Sequence, residues 1–162
     1  MTVRLMFVRT SRGVYQLAGT PAPVELRLSG WRSTGTATVG TENYVLKMRG
    51  LFDRGPDAIR EYTTEPAFTL RRHVVGFPDG APASWRVRMR LRGYEAHLDS
   101  PDFGTMTVRM GFGGRSAVEV VVDGEWPHRD LAVVTAAFAV LIRRREDSGA
   151  SGAVVAATVA AG

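Results

Sequence analysis

The chain has 162 residues, 44% of them hydrophobic and 23% charged, which suits one well-cored domain and excludes general disorder. It contains no cysteine, so a disulfide framework, thiolate chemistry and cysteine-ligated metal are excluded, and a reducing compartment fits. The net charge of +5 and pI near 10.4 permit attraction to phosphate-bearing partners without specifying a fold.

The chain opens with "MTVRLMFVRT", in which Arg4 and Arg9 interrupt the apolar run. A secretory h-region is therefore not expected, and a cytoplasmic location is. Strand-like alternation covers residues 2 to 9 and 14 to 18, then "VELRL", where Val24, Leu26 and Leu28 oppose Glu25 and Arg27. Similar patterns follow at 35 to 39, 43 to 49 and 58 to 63, and "AFTLRR" sets Phe68 and Leu70 against Thr69 and Arg71. In "WRVRMRLR" the alternation is cleanest, with Trp85, Val87, Met89 and Leu91 expected to face the core and Arg86, Arg88, Arg90 and Arg92 to face outward. "YEAHLD", "TMTVRM" and "AVEVVVD" continue it to Asp123. Turn signals at 11, 20, 53, 77, 100, 111 and 123 separate these segments as in an antiparallel meander of about ten to twelve strands.

One helix is expected last, from about 128 to 145. Leu131 to Ile142 carry no charge, and Thr135 is the one polar side chain among them. A bilayer span needs about twenty consecutive apolar residues, and this run stops at Arg143, Arg144 and Arg145. A helix that is apolar all round then belongs inside the protein, where a sheet closed around it meets every face. The fold expected is mainly β: a closed antiparallel β-barrel of about twelve strands enclosing a hydrophobic C-terminal α-helix. Residues 1–146 form the domain, and the small-residue stretch 147–162 reads as a flexible tail.

In this order of elements, and in "FTLRRH", "SWRVRMRLRGY" and "HRDLAVVTAAFAVLIRRRED", the chain resembles the tubby C-terminal-domain-like superfamily. Its length is closest to the LURP-one-related branch, with phospholipid scramblases more distant. The resemblance implies the same filled barrel and, from what relatives of this fold do, binding of acidic phospholipid headgroups. The chain departs from those relatives in having no cysteine to palmitoylate and no compact acidic loop for calcium, and it is shorter than a tubby domain. No binding residue is carried over by position.

Catalytic machinery is not expected. Nucleophile-elbow, Walker and dinucleotide motifs are missing from the sequence, and "GFGGR" at 111 is a hairpin signal with a phosphate nest as the alternative. His73, His97 and His128 lack ligand spacing, so neither a metal nor a cofactor is expected; His97 alternates with Glu95 and Asp99 on a face suited at most to a weak cation. The acid pairs Asp53 with Asp57 and Asp99 with Asp102 read as turn residues capping amides. The feature with surplus chemistry is the ladder Arg86, Arg88, Arg90 and Arg92, with Arg71, as a site for anionic headgroups. Its competing reading is a solvated outer face neutralised by Glu95 and Asp99 across the strands. The partners this leaves are an anionic membrane surface contacted peripherally or, for an interaction or scaffolding domain, another protein. Nucleic acid is not expected, because few aromatics interleave with the arginines, and the sequence leaves the oligomeric state open.

Overall fold

The computed structural model describes residues 1–30, 32–50, 54–71, 74–77, 83–112 and 117–161, with side chains as far as 149. Twelve strands run in chain order: β1 (Thr2–Ser11), β2 (Val14–Ala18), β3 (Val24–Leu28), β4 (Thr34–Val39), β5 (Glu42–Arg49), β6 (Gly55–Arg60), β7 (Pro66–Arg71), β8 (Val74–Gly76), β9 (Ser84–Arg90), β10 (Gly93–Ser100), β11 (Gly104–Gly111) and β12 (Val118–Asp123). Each pairs antiparallel with the next, and β12 returns to β1 in the register Val3 to Val122 and Phe7 to Val118, closing the barrel. The helix α1 (Arg129–Ala161) follows.

Twelve strands are what a helical core requires. At about 4.8 Å between strands and about 40° of tilt, such a barrel is about 24 Å across, which leaves room within the inward side chains for a helix about 10–12 Å wide. Val134, Ala137, Phe138 and Leu141 are fully or almost fully enclosed, as are the strand residues Phe7, Leu26, Leu46, Leu70, Leu98 and Val108 around them. Thr135 satisfies its hydroxyl within the helix by donating to the Leu131 carbonyl at 2.7 Å. Gly35 makes space for the widest core residue: a Cβ there would lie 3.1 Å from the Phe138 ring and 2.6 Å from the Arg27 carbonyl oxygen. Phe77, Phe103 and Trp126 pack together with ring centroids 5.7 to 6.2 Å apart near the end where α1 enters.

The strand ends fix the direction of α1. It follows the lower end of β12 and leaves by the opposite mouth, where the β1–β2, β3–β4 and β9–β10 connections lie. There Arg145 donates to the carbonyls of Ser29 at 2.7 Å and Arg32 at 3.2 Å, and Glu146 pairs with Arg54.

The structure corrects four expectations. The helix continues to Ala161 rather than ending at 145, because an established helix adds one hydrogen bond per residue and alanine resists it least. Arg143 to Arg145 therefore lie within the helix instead of ending it: Arg145 braces the mouth, and Arg143 pairs with Asp147 one turn on. Met89 is 60% exposed and Leu91 95% exposed, since β9 ends at Arg90 and Leu91–Arg92 form the turn. The last inward position of that strand opens at the mouth. Asp57 and Asp99 lie within β6 and β10 rather than in turns, and Asp102 is in a turn as expected. β8, three residues long, is too short to announce itself by alternation. Asp53, His73 and the glycines of the 113–116 stretch lie outside the described residues.

Candidate functional site

Arg86, Arg88 and Arg90 line the outer face of β9 with Arg92 in the turn beyond it, and the row is organised around an acid. On β10, Tyr94, Ala96 and Leu98 point into the core, so Glu95, His97 and Asp99 take the outer face. Two hairpins then set the neighbours: Glu95 stands opposite Arg88 of β9 and Arg109 of β11, with Arg90 one step along. The carboxylate is only 4% exposed. Its Oε1 accepts from Arg90 Nη2 at 2.7 Å, its Oε2 from Arg109 Nε at 2.8 Å, and Arg88 Nη2 lies 3.5 Å from Oε1. Burial alone pushes this carboxyl up, but hydrogen bonds from Arg90 and Arg109 outweigh it and hold the pKa below its ordinary value.

Neutralisation across the strands is thus partial. Glu95 does sit opposite the ladder, whereas Asp99 faces Ser84 and Thr105 instead. Arg86 faces His97, whose Nδ1 is 3.2 Å from the Thr107 hydroxyl. An arginine beside His97 and three on Glu95 oppose the weak-cation reading of that face, and no cluster of three potential ligands that could hold a metal occurs among the described residues. Arg86 and Arg92 have no ion pair among the described residues.

Arg71 belongs elsewhere. On β7 it pairs with Asp57, a carboxylate 2% exposed on the outer face of β6, whose Oδ2 also lies 3.6 Å from Arg49 Nε. β8 separates it from the ladder.

Beside Glu95 a cleft of about 420 Å³ opens at the mouth, lined by Arg90, Arg92, Arg109, Tyr94, Met110 and Glu119 among others. Glu119, opposite Arg109 on β12, also stands 3.9 Å from Arg4. Phe112 packs edge-on against Tyr94 at 5.4 Å while remaining half exposed, so apolar groups share this rim with the guanidiniums. Arg92 precedes Gly93, where φ is +155° and a Cβ would clash with the Met110 carbonyl; the turn thus needs glycine to bring β10 against β11.

Arg109 is the member missed by considering each strand alone. Its signal was the "SPDFG" turn, which joins β10 to β11 with Ser100 opposite Gly104 and so brings Arg109 opposite Glu95. Asp57 and Arg49 were missed because "DRGPD" looks like a turn in full, whereas the strand begins at Gly55.

No protein-family model, curated protein or solved structure matches this chain. Among the described residues no helix is long and apolar enough to cross a membrane.

Proposed function

We propose that this domain is a non-enzymatic binder of acidic phospholipid headgroups, taken at the cleft between Arg90, Arg92 and Arg109. One observation carries the reading: at this cleft guanidiniums outnumber carboxylates, and exposed Met89, Leu91 and Phe112 stand beside them. Cationic groups mixed with apolar side chains suit a bilayer interface, where charge meets phosphate and apolar groups enter the headgroup layer. A nucleic-acid backbone would use the charge alone. The three arginines on Glu95 are held in place before any ligand arrives, which lowers the ordering cost of binding. The resemblance to tubby-like proteins supports the same reading.

Vesicle sedimentation tests it. The chain should prefer phosphatidylglycerol-containing vesicles over neutral ones, and less so as salt rises. Arg92→Gln should weaken that binding about fivefold, equivalent to about 1 kcal/mol for one charge near an anionic surface, without changing the melt. Arg86→Gln, farther from the cleft, should do less. Equal binding to both vesicle types would end the lipid reading and favour a protein-interaction domain.

A further inference from the structure

Charge is sorted along the axis of this barrel. The described connecting residues at the mouth where α1 leaves include Arg12, Arg32, Arg54 and Arg92 and no acid. Those at the opposite end include Glu61, Glu65, Asp102 and Glu125 and no arginine or lysine. The helix adds Arg143, Arg144 and Arg145 at the mouth, against Glu146 and Asp147, while at its start Arg129 and Asp130 pair with each other at 3.0 Å. The sequence hides this sorting because successive loops alternate between the two ends.

Exposed large apolar side chains occur at both ends, Met1 and Tyr62 at the acidic one and Val74, Met89, Leu91 and Phe112 toward the mouth. At the acidic end each has one arginine near it among acids, Tyr62 with Arg60 and Glu65, and Met1 with Arg129, Glu42, Glu125 and Asp130, whereas around the cleft at the mouth the arginines outnumber the acids.

We infer that the domain docks end-on, with its mouth against an anionic bilayer and its acidic end away from it. This rests on the lipid reading above and adds an orientation to it. A wall-on pose would present the outer face, where Glu95, Asp57 and Glu119 already offset part of the arginine charge. An inverted pose would press four acids against lipid phosphates. A strand of eight residues is about 26 Å long, well beyond the Debye length of about 8 Å at physiological salt, so in the end-on pose the acidic end lies outside the attractive layer and costs little. Leu91 and Phe112 then enter the headgroup region. The uncharged stretch of α1 from 148 to 161, beyond the point where the helix leaves the mouth, falls on the bilayer side.

The cysteine-free chain makes the test direct. An environment-sensitive fluorophore is placed on Leu91→Cys at the mouth, Met6→Cys on the wall or Tyr62→Cys at the far end, and read on phosphatidylglycerol–phosphatidylcholine vesicles with a nitroxide-lipid quencher. Leu91 and Tyr62 are 95% and 98% exposed, so neither label disturbs the fold. The expected result is a blue shift and quenching at position 91, with positions 6 and 62 unchanged. In parallel, Arg12→Gln should weaken vesicle binding about fivefold and Glu61→Gln less than about twofold. Binding with a response at 6 or 62 that equals or exceeds the response at 91, or with none at 91, overturns the end-on pose and leaves lipid binding standing. Failure of every labelled chain, and of the unlabelled one, to sediment with anionic vesicles overturns both.

Discussion

The interior of the barrel and its outer wall both bury polar groups, and they do so by opposite means. Inside, polarity is nearly eliminated: along Leu131 to Ile142 Thr135 alone carries a polar side chain, and it bonds to its own helix. On the wall two carboxylates are as inaccessible as core leucines, yet each is covered by the long side chains of half-exposed arginines. The interior tolerates no charge because nothing within reach could pair with one. The wall tolerates it because guanidiniums supply both the cover and the counter-charge, with their outer edges still in water. A charge introduced inside and a charge removed outside should therefore differ in cost.

The first case should show the larger effect. Phe138→Asp or Val134→Asp puts a carboxylate at a fully enclosed position with no partner, at a cost of several kcal/mol against a typical domain stability of about 5 to 15 kcal/mol. Each variant should lose the cooperative thermal transition in circular dichroism. A melt near that of the wild type would mean that α1 does not fill the barrel.

Removing Glu95 should cost less, because the arginines it leaves behind can hydrate. Glu95→Gln keeps the shape and an acceptor and should lower stability by about 1 kcal/mol at neutral pH. The sign with pH follows from the depressed pKa: the carboxylate stabilises the fold above its unfolded value of about 4.3, and this contribution is lost as pH falls through the lower folded value. Urea midpoints of wild type and Glu95→Gln should thus be separated at neutral pH and converge at pH values below the ordinary carboxylate range. A constant gap would mean that the Glu95 charge is not what the arginines hold.

What the sequence revealed divides along the same line. The apolar run of α1 and the alternation of β9 to β12 are one-dimensional signals, because burial on one face repeats with the period of the element that carries it. Filling by Phe138 and closure around it were legible for that reason. The Glu95 cluster depends on which residues stand opposite, so it needed the hairpin registers; Arg88 and Arg90 were visible as a row, while Arg109 came from another strand. The Asp57 pair, with Arg71 and Arg49 on strands either side of β6, had no local signal at all. The charge sorting between the two ends required knowing where each loop lies, which only the strand order supplies.

The smallest effect should come from cutting the chain after Gly149. Among the described residues the contacts that fasten α1 at the mouth precede the cut: Arg145 on the Ser29 and Arg32 carbonyls, and Glu146 with Arg54 and Ser33. The apolar contacts that fill the barrel end earlier still, at Ile142. A helix terminus moved to 149 loses its outer turns and little else, so the melting temperature should fall by less than about 2 °C, corresponding to less than about 0.5 kcal/mol for a chain of this size. The truncated chain also separates the filling of the barrel from the bilayer contact proposed for the outer turns. If the 150–161 stretch serves only at a bilayer, the melt stays put while vesicle affinity drops; if the melt drops by several degrees, the outer turns of α1 hold the mouth together and the barrel depends on more of the helix than the part it encloses.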